Sequence, residues 1–398
     1  MLSKNRHSKL NIAIVLNLDS NGLGVMRSLG RLGIEVHGID YKKNAVGLSS
    51  KYCKKKYIFS SPILKRKECL TELIELGKSF NLKPVLIPSA DYYVTLISEY
   101  QKELSKYYLF NIPEPEVLAS IVDKRKQYKC AEELRILTAK TFYPKSFDEI
   151  RNSDFKFPVF IKGVSGYKWA SVFNNKGFVT NNQDELEKYY MSADNENVET
   201  IIQEIITGPN KNHFKVCAYY NKKRELLAIF STQKTRQFPV DFGVGSYMIS
   251  GHYPELIKEA RNFFEGIKYT GIGSIEFKKD DMDGKYKLIE LNPRLWQQNI
   301  QATYAGINFA YINYLDCIGE DVKPILDFKD DIRWLDAIQD FQSFLGNNKK
   351  GDVKFYEWIK SVFKTDCCAY FALDDVKPGL ENSHYFTKYL KLPLKILR

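Results

Sequence analysis

At 398 residues, 44% hydrophobic and 27% charged, the chain has the length for two to three packed domains of roughly 100–200 residues each and the composition of an ordinary globular protein. Its 59 Lys and Arg are interleaved with 48 Asp and Glu for a net charge of +11. No RNP, helix-turn-helix or zinc-finger pattern goes with that charge, so nucleic acid is not an expected partner; an anionic small molecule such as a nucleotide, or an anionic membrane surface, is. The seven cysteines (Cys53, Cys69, Cys130, Cys217, Cys317, Cys367 and Cys368) form no CxxC pair, and the five histidines form no zinc-binding spacing. No apolar run approaches the roughly 20 residues needed to cross a bilayer.

The opening basic residues before NIAIVLNL resemble a signal peptide, but Asn11 and Asn17 interrupt the apolar stretch and no small-residue cleavage site precedes Asp19. A basic tail leading into a buried strand over 11–18 is predicted instead, and a cytoplasmic location with it. The turn Asp19-Ser20-Asn21-Gly22 follows, then Val25, Met26, Leu29 and Leu32 at helical spacing up to Gly33. A strand over 34–39 stopping at Asp40, a helix over about 68–80 and a strand over 84–88 continue the alternation, which implies a parallel sheet with covering helices. Residues 1–120 are therefore expected to form a Rossmann-like α/β domain.

A Pro-marked break (Ile112-Pro113-Glu114-Pro115) ends that pattern. A Lys- and Glu-rich helix over 123–137 is predicted next. Strands over 159–162, 200–206, 214–220, 226–232, 273–277 and 287–292 follow, separated by short turns. A long helix over 254–267 carries Leu256, Ile257, Ala260, Phe263, Phe264 and Ile267 on one face. The region 121–320 is α+β, and 321–398 is an extension without a legible chemical motif.

The first motif is Asn21-Gly22-Leu23-Gly24-Val25-Met26-Arg27. Arg27 stands where a dinucleotide fold needs a third Gly or Ala for helix–strand packing, which argues against NAD or FAD. A small anion at the helix N-terminus, or a plain βα turn, both remain open. The strongest motif is late: Gly273-Ser274-Ile275-Glu276-Phe277, an Asp283-Gly284 turn, then Glu290-Leu291-Asn292-Pro293-Arg294. Strand alternation puts Glu290 and Asn292 on one face, and two carboxylates with an amide oxygen suit Mg²⁺. A two-residue turn at Asp283-Gly284 would set Glu276 opposite Leu291, on the wrong face. The metal reading therefore requires an odd loop, most simply 282–284. A calcium loop ending at Glu290 fails because its first ligand would be Lys279. Weaker candidates are Lys124 at a helix start, Lys162 at a strand end, the apolar-flanked Gln203-Glu204-Ile205-Ile206, and Lys234 with Arg236, two cations of like orientation at i and i+2.

Taken in order, these residues resemble the ATP-grasp superfamily over about 11–320. Gly24-Val25-Met26-Arg27-Ser28-Leu29-Gly30 lies in a stretch like its preceding Rossmann-like domain; Asp123-Lys124 and Pro158-Val159-Phe160-Ile161-Lys162 are similar to its two nucleotide-lysine segments. Gln203-Glu204-Ile205-Ile206-Thr207-Gly208 resembles its adenine-reading strand, and Glu276 with Glu290-x-Asn292-Pro293-Arg294 its metal-binding end. Gln233-Lys234-Thr235-Arg236-Gln237-Phe238-Pro239 is similar to a stretch of D-aspartate-ligase-like carboxylate–amine ligases, a group associated with cell-wall or surface-polymer building. The stretch after Lys162, Gly163-Val164-Ser165-Gly166-Tyr167-Lys168-Trp169, departs from the usual Gly-rich loop.

The resemblance implies a Rossmann-like domain followed by two α+β lobes clamping ATP, with Mg²⁺ (Mn²⁺ as a substitute) held by Glu276, Glu290 and Asn292. Lys124, Lys162, Gln203, Glu204 and Ile206 would bind the nucleotide. Arg294, with Lys234 or Arg236, would steady the transferred phosphoryl group as a carboxylate is activated and joined to an amine. A kinase-type phosphotransferase, a Rossmann oxidoreductase and an inactive nucleotide-binding scaffold are the alternatives. A homodimer, and contact of the Lys- and Leu-bearing tail 385–398 with anionic lipid, are left open.

Overall fold

A computed structural model describes residues 11–349 and 354–390. Its first unit is a parallel sheet of β1 (Ala13–Leu16), β2 (Val36–Asp40), β3 (Cys53–Ile58) and β4 (Val85–Pro88), in the order β3-β2-β1-β4. β1 is wholly buried, as a strand covered by helices on both faces must be. The helices Ser20–Gly30 and Arg66–Lys78 fall where their periodicity predicts. β3 was not foreseen: its sequence CKKKYI exposes three lysines, the dress of an edge strand, and carries no apolar alternation. The topology is the Rossmann-like one expected.

The predicted helix over 123–137 is shorter and has an unforeseen neighbour. A helix Pro115–Val122 precedes it, and Asp123 breaks the two apart by capping Lys124–Glu133, its carboxylate accepting from the Arg125 N–H. A small antiparallel sheet follows, made of β5 (Thr141–Phe142), β6 (Val159–Gly163), β7 (Phe178–Thr180) and β8 (Thr200–Glu204) in the order β5-β8-β6-β7. Ile150, Val159, Ile161, Trp169 and Leu186 form its core.

The largest sheet holds β9 (His213–Tyr220), β10 (Leu226–Phe238), β11 (Val244–Ser250), β12 (Gly271–Lys279), β13 (Tyr286–Asn292), β14 (Arg333–Leu335) and β15 (Cys367–Cys368), in the order β13-β12-β9-β10-β11-β14-β15. The helix Pro254–Gly266 buries Leu256, Ala260, Phe263 and Phe264 in the core beneath it, with Ile257 and Ile267 partly buried beside them, matching the predicted face. β10 runs six residues beyond its predicted end at 232, because Lys234, Arg236 and Gln237 are buried within it and end the apolar run on which the prediction relied.

The C-terminal extension does not fold apart. β14 pairs antiparallel with β11 and β15 parallel with β14, completing the large sheet. Two arginines tie it down further. Arg27 donates from Nε to Asp375 at 3.0 Å, and Arg236 holds Asp340 through both Nε and a terminal nitrogen at 2.8 Å. Among the described residues no helix is long and apolar enough to cross a membrane. Residues 391–398 of the basic, leucine-bearing tail lie outside the described residues.

Candidate active site

A cavity of about 400 Å³ opens where the parallel sheet, the small sheet and the large sheet meet. Its floor is the β12–β13 pair. Glu276 stands directly opposite Glu290 in the register, with Ser274 opposite Asn292. The two carboxylates share a face as required, but not through an odd loop. Lys279 pairs with Tyr286, leaving six residues between them, and the parity is restored by a bulge in β13 at Ile289, between the pairs Glu276–Glu290 and Phe277–Leu288. Gly284 does sit in the left-handed region, at φ +69°, where an L side chain is strained.

Each carboxylate has an ammonium partner. Lys215 Nζ lies 3.1 Å from Glu276, and Lys124 Nζ lies 3.1 Å from Glu290. Asn292 donates to Glu290 at 3.3 Å. Burial pushes the Glu276 carboxyl up, but Lys215 and Lys234 overcome it and hold the group down at about 2. Burial likewise raises Glu290, and Lys124 with Lys176 carries it well below the usual carboxylate range. Both groups are therefore anionic at neutral pH. Two ionised carboxylates and an amide, side by side, form a hard-oxygen donor set of the kind Mg²⁺ accepts.

Between the small sheet and the Lys124–Glu133 helix lies a second polar group. Lys162 donates to Tyr128 Oη at 2.9 Å and to Gln203 Oε1 at 2.8 Å, and Gln203 donates in turn to Thr141 Oγ1 at 2.8 Å. The Gln203 side chain thus fixes a lysine, and its backbone is committed to the ladder with Phe160 and Thr141. Glu204 is exposed and its N–H is bonded to Lys140, while the Ile206 carbonyl accepts from Lys278 at 2.6 Å. Gly166 begins a helix, Gly166–Phe173, in the stretch that departs from a Gly-rich loop; a Cβ on Gly166 would stand 4.0 Å from Lys124 Nζ.

The pair Lys234 and Arg236 does not share an orientation. A break in the β10–β11 register at Thr235 separates them, so Lys234 lines the cavity and Arg236 reaches Asp340 and Ser361 with its guanidinium 4.2 Å from the Tyr247 ring centre. The expectation that Arg236 could steady a transferred phosphoryl group is corrected: it is absorbed by the C-terminal extension. Lys234 donates to Gln237 at 3.0 Å and to the Gly243 carbonyl at 3.3 Å. Arg294 lines the cavity and donates to Asp91 at 3.0 Å. Burial lowers its pKa and Asp91 more than reverses that.

Burial drives the Lys234 ammonium down to about 7, against Glu276 and with help from Lys176 and Lys215. Near pH 7 about half of Lys234 is then neutral, and a polyphosphate placed beside it draws the proton back. Titration calorimetry of MgATP in buffers of differing ionisation enthalpy is expected to report proton uptake that grows from about pH 6 to pH 8 and is absent in Lys234→Met. Equal uptake by the variant would place the polyphosphate elsewhere.

Sequence reasoning missed Lys215, Lys176, Asp19, Asp91 and Trp296, all of which line the cavity. Lys215 carried a faint signal, as a lone charge in the apolar run HFKVCAYY. The N-terminal glycine turn serves packing: a Cβ on Gly24 would stand 2.5 Å from the Asn299 side chain. The N-terminus of the Ser20–Gly30 helix, open to an anion by sequence, is preceded by Asp19, whose side chain makes no cap bond to it.

This is the architecture of a nucleotide-clamping enzyme domain, a carboxylate pair on two strands ringed by lysines from two lobes. Residues 123–315 match the family model of the carbamoyl-phosphate synthase L chain, ATP binding domain, a model of ATP-grasp type. It is 26% identical over 242 residues to the D-aspartate ligase of Enterococcus faecium (strain Aus0004), a match that spans 57% of this chain and 57% of that relative. The fold is shared with L-amino acid ligase from Bacillus licheniformis (TM-score 0.60, 13% identity, 79% of this chain and 78% of that one). It is shared too with the biotin carboxylase domain of the Hydrogenobacter thermophilus 2-oxoglutarate carboxylase, solved with MgADP and bicarbonate (TM-score 0.63, 16% identity, 82% and 74%).

Proposed function

We propose that the protein is an ADP-forming carboxylate–amine ligase. The observation that carries this reading is the in-register pair Glu276–Glu290 with lysines from β9 and from the neighbouring helix turned onto it. A carboxylate is a poor electrophile, and phosphorylation turns one of its oxygens into a phosphate leaving group. Catalysis of that step is positioning and charge stabilisation rather than covalent chemistry by the protein.

Glu276, Glu290 and Asn292 are assigned to Mg²⁺, with Mn²⁺ as a substitute. The ion supplies charge neutralisation on the ATP phosphates. Lys124 and Lys162 are assigned to the phosphates of the nucleotide, and the segment Gln203, Glu204 and Ile206 to the adenine edge. Lys234 and Arg294 line the cavity and are assigned to offsetting charge on the group in transfer and on the acyl phosphate. The likeness to a D-aspartate ligase favours an amino acid as the acid, a cell-wall or surface-polymer product, and a cytoplasmic location for the work. Residues 1–120, 121–320 and 321–398 then act as substrate-facing domain, nucleotide clamp and brace.

Acids screened against amines, with hydroxylamine present to trap acyl phosphates, are expected to give ADP and phosphate together with a hydroxamate. AMP with stoichiometric pyrophosphate would identify an adenylating enzyme instead. ADP without amide or hydroxamate would identify a kinase.

A further inference from the structure

The cavity is bipolar, and only one end is accounted for by nucleotide chemistry. Lys176, Lys215 and Lys234 ring the carboxylate pair at one end. At the other, the parallel-sheet domain contributes Asp19, Asp91, Asn17 and Tyr92. Asp91 is already matched by Arg294. Asp19 makes no direct ion pair among the described residues, and Lys42 and Arg294, which line the same cavity, act on it only from a distance; its carboxylate accepts from Asn17 Nδ2 at 2.6 Å, and Asn17 accepts from Tyr92 Oη at 2.8 Å.

Asp19 is also diverted from an ordinary task. It occupies the N-cap of the Ser20–Gly30 helix yet makes no side-chain cap bond, whereas Asp123, Ser146, Asn182 and Asn308 all cap the helices they precede. Asn17 is held at φ +72° in this corner, an unusual conformation for a residue other than glycine. The carboxylate is thus turned into the cavity and open to it, although the surrounding protein pushes its pKa up through burial, with Asp40 adding to the rise. The cavity lining also includes a buried donor. Trp296 lines the same cavity, is 1% exposed, and its indole N–H has no hydrogen-bond partner among the described residues. A buried donor of that kind is satisfied when a ligand brings an acceptor.

We infer that this end of the cavity is a subsite for a primary ammonium group of substrate, with Asp19 as its counter-ion and Trp296 as donor to an acceptor beside it. An ammonium next to a carboxylate, the head of an amino acid, meets both needs at once. The inference rests on the ligase reading for which substrate brings the group: the amino acid to be activated or the amine that attacks it.

The test uses the full-length protein with MgADP, and as probes the common amino acids in both configurations, their ammonium-free analogues such as succinate for aspartate, and simple primary amines. Calorimetric titration is expected to show at least one ammonium compound bound at least ~10-fold more tightly than its ammonium-free analogue, as one charge-assisted contact of about 1.4 kcal/mol provides. Asp19→Asn is expected to erase that preference, and Asp19→Glu to retain part of it. Unchanged MgADP binding shows that the variants are folded. In the hydroxamate assay, loss of preference between amino acid and deaminated acid assigns the ammonium to the acid substrate. Loss of preference between primary amine and hydroxylamine assigns it to the nucleophile. No preference for any ammonium compound in the wild type, absence of binding included, or a preference that survives Asp19→Asn, overturns the proposal. Because the titration needs no turnover, its outcome is separate from the failure of the ligase reading, which would appear as no ADP release with any pair.

Discussion

Glu290→Gln is expected to lower turnover by at least roughly 10²-fold, the scale of one preorganised electrostatic contact in a site of this kind. The amide keeps the size of the carboxylate and leaves an acceptor for the Lys124 ammonium 3.1 Å away. What it removes is the charge that Lys124 and Lys176 hold in place against burial. Circular dichroism and thermal unfolding should match the wild type while the dependence of rate on Mg²⁺ disappears. A folded variant with near-normal rates would take Glu290 out of the metal site and leave Glu276 without its partner across the strand pair.

The second large effect is on stability. Asp375→Ala is expected to destabilise the fold by about 3–5 kcal/mol, because it strands a buried guanidinium. Arg27 is 1% exposed and Asp375 3% exposed. The Asp375 carboxylate accepts from Arg27, from Ser50 Oγ at 2.7 Å and from the Lys51 N–H at 2.9 Å, so one side chain ties together the Ser20–Gly30 helix, the connection between β2 and β3 and the C-terminal extension. Chemical denaturation should show the loss, and Arg27→Met with Asp375→Leu should recover most of it, since an apolar pair carries no uncompensated charge. Wild-type stability in Asp375→Ala would mean that the extension is not braced through this pair.

The parts of this molecule legible in the sequence are those governed by local pattern. Apolar runs and turn residues locate β1, β2, β4 and most strands of the large sheet, and the spacing of Leu256, Ala260, Phe263 and Phe264 places the packing face of one helix correctly. The order of motifs from Asp123-Lys124 to Asn292-Pro293-Arg294 was enough to suggest the superfamily. What local pattern cannot supply is register. The bulge at Ile289 has no residue signature, so the parity of Glu276 and Glu290 was solved by the wrong device, a loop of odd length. The break at Thr235 likewise turned Arg236 away from its neighbour Lys234 and onto Asp340, more than 100 residues later. Asp19, Lys215 and Trp296 are brought into one cavity by strands distant in the chain, and each alone looks like a cap, a stray charge and a core residue.

The most direct measurement of the chemistry follows one oxygen atom. The acid found in the screen, labelled with ¹⁸O in its reacting carboxyl group, is incubated with ATP and the amine, and the released phosphate is analysed by mass spectrometry. If the carboxylate attacks the γ-phosphorus and the amine then expels phosphate from the acyl carbon, the expelled phosphate keeps the carboxylate oxygen that bonded to phosphorus. One ¹⁸O atom per phosphate is the expected result. Unlabelled phosphate with the label retained in the product, or label appearing in AMP, would contradict an acyl phosphate and with it the assignment of this site to ligase chemistry.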